Sequence, residues 1–383
     1  MPKQVIVQSS LEAVEIIETP IPEPKEKDVV IKVIASGTNP KDWKYPVWKD
    51  MSFNSGDDLA GIVHSVGKEV YEFKPGDRVA AYHEPFAKNG SFGEYAVAPD
   101  WMTFHLPANV SFQEGATFGT AAITAAVALY SDMKLPPPFD PIKPSEGGKK
   151  VPILIYGVSS AVGAFAAKLA RFSGLSPIIG VAGRSCDFGK TLVDHIIDYR
   201  KGDDEVVAAV ADILTKEGLG TKVPYVLDAI SENGSHELTL RLIELNGGVL
   251  RTVLPPQFFA KEGENFKYPD GVDGNNSVGP SVFWTHKDFG YLWFRYFGRL
   301  LEDGRLKAHP YEVIPGGLRG VLTGLRKLAD GKASAVKYVY NIEDTGDIPV
   351  GLIHVDKKDI GGSFGKGTSQ FARKLMDFPM PDV

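Results

Sequence analysis

The chain has 383 residues, with 42 Lys plus Arg against 48 Asp plus Glu, eight histidines and one cysteine, for a net charge of −6. The lone Cys186 excludes an intrachain disulfide and a multi-cysteine zinc site and points to a reducing compartment, and the length exceeds one typical core of about 150 residues, so two domains are expected. A composition of 43% hydrophobic and 23% charged residues excludes a disordered or fibrous chain, and the acidic balance argues against a nucleic-acid or anionic-membrane surface.

The amino terminus lacks the basic and apolar regions of a signal peptide. The longest charge-free apolar run, 151–167, is interrupted by Tyr156, Gly157 and Ser159-Ser160, so it reads as strand, turn and helix and not as a membrane span. The carboxyl terminus, MDFPMPDV, matches neither a prenylation box nor a peroxisomal tripeptide. A soluble cytoplasmic protein is expected.

Short β-branched or aromatic runs at 3–8, 29–35, 60–66, 78–82 and 95–98, punctuated by Gly and Pro, predict strands of a β-barrel or sandwich. Ser111 and Glu114 have capping-box spacing ahead of an Ala-rich helix over 117–129. The proline-rich 135–150 reads as a surface insertion. From 151 onward strand and helix alternate. Strands are expected at 151–156, 177–182, 196–199, 225–230 and 248–254. Helices are expected at 161–173, 190–195, 204–217 and 235–245. This order implies a parallel sheet covered on both faces. A loop over 255–283, helices over 287–302 and 314–330 and a strand over 336–342 complete the series. The aromatic stretch from Phe283 to Phe297 reads as helix core or as the wall of an apolar pocket.

The strand VPILIY runs into Gly157-Val158-Ser159-Ser160-Ala161-Val162-Gly163 and then a helix. Small residues let the backbone turn sharply toward a pyrophosphate, and the helix N-terminus offers free N–H groups and a positive dipole end. An NAD-preferring fold places an acid at the tip of the second strand to hold the ribose 2′-hydroxyl. Here that tip is Gly183-Arg184-Ser185, which suits a 2′-phosphate through a guanidinium fork and a hydroxyl. NADPH is therefore expected over NADH, with Asp187 as the residue that could instead reach the ribose.

The chain resembles the medium-chain dehydrogenase/reductase superfamily over roughly residues 1–343. The strings that carry the resemblance run from Ala35 to Lys44, from Gly56 to Gly67, from Pro75 to Val79 and from Gly90 to Tyr95, followed by the cofactor loop. The resemblance implies an α/β fold, a GroES-like β-barrel catalytic domain around a Rossmann parallel-sheet domain, with the active site in the cleft between them. The expected divisions are 1–124 for the first part of the catalytic domain, 125–294 for the NADP-binding domain, and 295–383 for the return to the catalytic domain with a C-terminal extension. Zinc-dependent members carry a cysteine where this chain has Asn39 and Gly-His-Glu where it has Gly56-Asp57-Asp58, so the chain resembles a zinc-independent member with no metal. A finer resemblance, to trans-acting enoyl reductases of fungal polyketide pathways, rests on Asn39 to Lys44, Val226 to Ser231, Asn246 to Gly248, Gly316 to Leu318 and Gly331 to Tyr340. The tail beyond 345 has no counterpart in the family, and its Gly361-to-Gly367 run suggests a flexible surface segment.

Without zinc, hydrogen-bond donors must stabilise the charge that develops on the acceptor oxygen, which favours an α,β-unsaturated carbonyl or a quinone. By the resemblance, Lys44 faces the cleft and orients a carbonyl or phosphopantetheine group, or else is a solvated barrel lysine. Thr124 lies where the superfamily places a threonine near the nicotinamide, or is an ordinary buried helix threonine. Asn39 orients substrate or ribose, or is a turn residue. Tyr199 matches a position beside the NADP phosphate, or packs in the core. The eight histidines suggest no metal cluster.

The expected function is NADPH-dependent reduction of an activated C=C bond in an enone or enoyl thioester, either a small molecule or an acyl group on a carrier protein of a polyketide synthase. The alternatives are a quinone oxidoreductase and a non-catalytic NADPH-binding sensor or scaffold. No nucleic-acid or membrane partner is expected, and a monomer or homodimer remains open.

Overall fold

The structure is a computed structural model and describes residues 1–143 and 150–354. The chain divides into two compact units, one formed by Met1–Thr120 with the described residues from Pro280 onward, the other by Ala121–Gly279. These divisions differ from the expected breaks after 124 and 294. The second of those would cut the continuous helix Lys287–Glu302, whose Trp293, Phe294 and Phe297 are buried together in the first unit.

The first unit begins with an antiparallel pair, β1 (Lys3–Val7) and β2 (Ala13–Glu18), in which Val5 lies opposite Ile16. Next comes the long β3 (Asp28–Gly37), whose apolar alternation buries Val29, Ile31 and Val33. Helix α1 (Pro40–Lys49) interrupts the strands; the sequence had suggested none here. Proline at its first position suits a helix start, and the Asp42 carboxylate reaches back to accept the Asn39 N–H at 2.7 Å. Pro46 inside the helix has no N–H to offer the Asp42 carbonyl. The Ser55 hydroxyl donates to that carbonyl instead, at 2.7 Å, so the helix survives its proline.

Strands β4 (Asp58–Val66), β5 (Arg78–Tyr82), β6 (Tyr95–Pro99) and β7 (Thr103–His105) follow. The short helix α2 (Phe112–Gly115) carries the expected capping box, Ser111 Oγ accepting from the Glu114 N–H at 3.1 Å and Glu114 from the Ser111 N–H at 2.8 Å. Helix α3 (Gly119–Ala126) continues into a wider π-type turn, Val127–Asp132.

The second unit alternates as expected. It runs β8 (Ile153–Tyr156), α4 (Ala161–Phe172), β9 (Ile178–Ala182), α5 (Cys186–Lys190), β10 (His195–Asp198), α6 (Asp203–Lys216), β11 (Tyr225–Asp228), α7 (Ser235–Leu242), β12 (Val249–Thr252), α8 (Pro256–Phe259) and β13 (Asp273–Asn276). All six strands are parallel, in the order β10-β9-β8-β11-β12-β13. Counted within the unit this is 3-2-1-4-5-6, the doubly wound dinucleotide-binding order. Two expectations need correction. The helix placed at 190–195 lies at Cys186–Lys190, because 195–198 is taken up by β10 pairing with β9. The loop over 255–283 contains α8 and β13; the Asp-Gly-Asn-Asn sequence of β13 has no strand propensity and is held by its ladder to β12.

The chain then returns to the first unit with α9 (Lys287–Glu302), β14 (Tyr311–Val313), α10 (Val321–Ala329), β15 (Lys337–Asn341) and β16 (Gly351–His354). The helix expected from 314 starts only at Val321, since Gly316 and Gly317 take positive φ values of 93° and 56°. Strand β16 extends the β1–β2 pair, while β14 and β15 join a seven-stranded sheet ordered β14-β15-β3-β4-β5-β7, with β6 also on β3. The aromatic stretch of α9 resolves as core: Phe294 meets Phe104 at 5.7 Å and Phe297 meets Phe118 at 6.1 Å between ring centroids. Residues 144–149 of the proline-rich loop, and the glycine run at 361–367 in the tail, lie outside the described residues.

Candidate active site

In the second unit, β8 is buried along its length and delivers the chain to a tight turn. Gly157 sits at φ 74°, and a Cβ there would lie 2.4 Å from the Ile230 side chain. A Cβ on Gly163 would lie 2.3 Å from the Gly157 carbonyl oxygen, so glycine at both positions is what lets the helix close on the strand. Ser160 caps α4, its Oγ accepting the Gly163 N–H at 3.1 Å. The first intrahelical bond runs from Ala164 N–H to Ser160 O, so the N–H groups of Ala161 and Val162 lie ahead of the helical ladder.

At the end of β9, Ser185 Oγ donates to Ser159 Oγ at 2.7 Å and ties the two turns together. Arg184 beside it is exposed. The Tyr199 ring, just past β10, lies against Gly183, where a Cβ would come within 2.6–2.8 Å of it. Thus Gly157, Ser159, Ser160, Ala161, Val162, Gly163, Arg184, Ser185 and Tyr199 gather at the carboxyl ends of three adjacent strands, the edge where open α/β sheets bind ligands. The turn after β8 lies where the strand order reverses, between β8 and β11. The nearby acids are engaged: Asp187 pairs with Lys190 at 2.9 Å, and Asp198 takes a bidentate pair from Arg200 that holds its carboxyl down at about 2. Thr124 belongs to this unit, buried on α3 with its hydroxyl against Gly279; a Cβ on that glycine would lie 2.2 Å from Oγ1.

The first unit holds a buried cluster of opposite charges. Register brings it about: Asp58 of β4 stands opposite Gly37 of β3, which stands opposite Val339 of β15. The Lys337 side chain therefore crosses to Asp58 over a position that must lack a Cβ, since one on Gly37 would sit 3.0 Å from Lys337 Cε and 2.1 Å from the Ala116 carbonyl oxygen. Lys337 Nζ bonds Asp58 Oδ2 directly and donates to Asn39 Oδ1 at 3.0 Å. Asn39 Nδ2 donates to Asp58 Oδ2 at 3.0 Å, and the Thr120 N–H and hydroxyl both donate to Asp58 Oδ1, at 2.7 and 2.8 Å. Both ends of the Asn39 amide are thus bound internally. Asn39, read from the sequence as a residue that orients substrate or ribose or as a turn residue, lies at the start of α1.

Beside this cluster Lys41 Nζ pairs with Asp57, with Asp42 at 3.0 Å and with the Ser55 carbonyl at 2.6 Å. Burial pushes the carboxyls of Asp42 and Asp57 well above the ordinary carboxylate range, with the Lys41 cation pulling both back. Burial alone would lower the Lys41 ammonium; Asp57, then Asp42, outweigh it and hold the proton on more firmly than usual. Lys44, on the same helix, is 5% exposed, its Nζ 5.3 Å from the Trp48 ring centroid and 5.7 Å from that of Trp43. Among the described residues no group of three or more His, Cys, Asp or Glu is arranged to hold a metal ion. None of their helices is long and apolar enough to cross a membrane.

Sequence reasoning missed Lys337, Lys41 and Thr120. One signal pointed toward the first two: two consecutive aspartates inside the apolar Gly56-to-Val63 string need buried cations somewhere.

Residues 25–108 match the alcohol dehydrogenase GroES-like domain family. The trans-enoyl reductase fsr4 of Gibberella fujikuroi is 40% identical over 314 residues, covering 80% of this chain and 89% of its own. The trans-enoyl reductase resD of Aspergillus sclerotiorum is 30% identical over 354 residues, 85% of this chain and 96% of its own. Among solved structures, CurK enoyl reductase superposes with a TM-score of 0.71 at 20% identity, over 88% of this chain and 98% of its own. A quinone oxidoreductase of Pseudomonas syringae pv. tomato DC3000 superposes with a TM-score of 0.69 at 21% identity, over 88% of this chain and 100% of its own.

Proposed function

As the chain is an oxidoreductase of the medium-chain dehydrogenase/reductase family, we propose that it reduces the C=C bond of an enoyl thioester or enone with NADPH, in the cytoplasm, on an acyl group carried by a polyketide synthase. The observation that carries this reading is the turn from Gly157 to Gly163 joined through Ser159 and Ser185 to the Arg184 tip. The residues fit the cofactor. The backbone approach at Gly157 and Gly163 and the N–H groups of Ala161 and Val162 suit a pyrophosphate. Arg184 and Ser185 suit a 2′-phosphate, while the nearby acids Asp187 and Asp198 each pair with a cation, Lys190 and Arg200.

Bound at this turn, NADPH supplies the hydride that the substrate β-carbon receives. As the β-carbon accepts it, negative charge moves onto the carbonyl oxygen as an enolate, and a proton taken from water by the α-carbon completes the reduction, leaving hydroxide to be neutralised by solvent. Conjugation spreads that charge, so one cationic donor is enough where an unactivated alcohol would need a stronger acid. Lys44 is the donor we assign to the carbonyl. Its indole surroundings keep the ammonium poorly hydrated, which strengthens the bond it makes to an oxyanion. Thr124 is assigned to the nicotinamide side as a hydroxyl donor. Asn39, bound to Asp58 and Lys337, positions the helix that carries Lys44.

The test is NADPH oxidation by purified protein with enoyl thioesters, enones and quinones in parallel, with NADH as the control. Turnover of enoyl thioesters with NADPH supports the reading. Turnover of quinones alone assigns a quinone reductase, and tight NADPH binding without turnover assigns a sensor or scaffold.

A further inference from the structure

We propose that Asp228, a fully buried carboxylate with no part in the chemistry above, is a positioning residue for the cofactor turn: it holds Ile230 against Gly157, so that the backbone from Gly157 to Gly163 meets the NADPH diphosphate. This rests on the NADPH reading above. Asp228 ends β11 and pairs in register with Tyr156, which ends β8, so it stands where the strand order reverses and the turn begins.

A carboxylate without exposure is costly unless donors surround it. Asp228 Oδ1 accepts the N–H groups of Ile230 at 3.0 Å and Ser231 at 2.7 Å, and Oδ2 accepts the Ser235 hydroxyl at 2.5 Å. Ser231 closes the network: its hydroxyl donates to the Asp228 carbonyl at 3.0 Å and accepts the Val253 N–H at 2.9 Å, and its carbonyl meets the His236 ring at 3.0 Å. These bonds hold a strained backbone, since Ser231, Asn233 and Gly234 take φ values of 58°, 57° and 88°. Side chains stay in that region only where surrounding contacts over-determine them, and such residues concentrate at ligand sites.

The strained segment bears directly on the turn. On the β9 side the turn is gripped by hydrogen bonds, the Gly157 and Val158 N–H groups both donating to Val181 O, at 2.9 and 3.1 Å. On the β11 side the Ala229 N–H donates to Tyr156 O at 3.0 Å, and from there the contact is packing. A Cβ on Gly157 would lie 2.7 Å from Ile230 Cδ1 and closer still to Cγ1. The backbone of Ile230 is placed by Asp228 Oδ1. Close-packed groups pass a shift to their neighbours, so releasing Ile230 frees one wall of the turn. Arg184 follows β9, on the opposite side of β8 from β11, and keeps its place.

Calorimetric titration with NADPH and with adenosine 2′-monophosphate, which carries the 2′-phosphate but no diphosphate, tests this without turnover. Asp228→Ala should weaken NADPH binding about tenfold, within the range exerted by residues that do not touch the ligand, and leave adenosine 2′-monophosphate binding unchanged. Asp228→Asn, whose amide oxygen still accepts both N–H groups, should keep most of the NADPH affinity. Ile230→Ala, at a half-buried position, should reproduce the selective loss and carries the test if Asp228→Ala does not fold. Because Asp228 acts through Ile230, the double alanine variant should lose no more than Asp228→Ala alone. The proposal is overturned if either folded alanine variant keeps the wild-type NADPH affinity or weakens both ligands alike, if the single losses multiply in the double variant, or if Asp228→Asn is as damaging as Asp228→Ala. Selective loss in a protein that reduces none of the enoyl thioesters would leave Asp228 standing and remove the reductase reading, whereas a wild-type chain that binds no NADPH would remove both.

Discussion

The Asp58–Lys337 pair offers the sharpest test of how the first unit is held together. Its two side chains are 0% and 3% exposed, so neither charge can return to water when its partner is removed. Truncating one member of such a pair costs about 3–5 kcal/mol. Lys337→Met should fall at the lower end, because Asp58 keeps three donors, the Thr120 N–H and hydroxyl and Asn39 Nδ2. Asp58→Ala should fall at the upper end. It leaves the ammonium with Asn39 Oδ1 and also strips the Thr120 N–H of its acceptor at the start of α3. At about 2–4 °C per kcal/mol, these losses correspond to melting shifts of roughly 6–12 °C and 10–20 °C. Denaturant unfolding followed by tryptophan fluorescence reads the change, with Trp43 and Trp48 reporting from α1. The double variant Asp58→Leu/Lys337→Met should lose less than the sum of the singles, since it removes both charges together. A loss below about 1 kcal/mol for Asp58→Ala, or a double variant equal to the sum, would refute the reasoning.

Two further outcomes follow from the site. Arg184→Ala should raise the KM for NADPH by about tenfold while leaving that for NADH nearly unchanged, the lower end of a charge-assisted bond because Arg184 is exposed; equal effects on both cofactors would remove Arg184 from the 2′-phosphate. Asp42 and Asp57 have folded-state pKa values raised by burial, so above about pH 4 the folded chain keeps protons that the unfolded chain releases. Their contribution to stability is therefore fullest in acid and declines as the pH rises toward 7. Asp57→Asn should flatten that decline in urea titrations run at successive pH values, and an unchanged slope would contradict the assignment.

Much of the architecture was legible because it obeys local rules. The Gly157-to-Gly163 turn announces itself by residue type and context, and the strands and helices of the second unit follow their periods closely. The rest depends on distant partners. Helix α1, with two prolines and three aromatics in ten residues, has poor propensity and stands because Ser55 supplies what Pro46 cannot. Strand β13 exists through β12 alone. Asn39 was visible as a chemically capable residue, but the engagement of its amide depends on Lys337, 298 positions away. A lysine in the strand Lys-Tyr-Val-Tyr gives no local sign of being buried, since only register with β3 and β4 brings Asp58 to it.

That distance has a consequence for synthesis on the ribosome. The second unit is one continuous stretch, Ala121–Gly279, whereas the first needs β14, α10 and β15 from beyond Pro280. Until Lys337 emerges, Asp58 has no countercharge and favours a hydrated state over its native burial. The first unit therefore cannot complete its native register until the chain beyond Pro280 has been made, whereas the second unit has all of its residues by Gly279. The link that Lys337 makes to Asp58 also holds Asn39, so the start of α1 reaches its native geometry only once residue 337 has been translated.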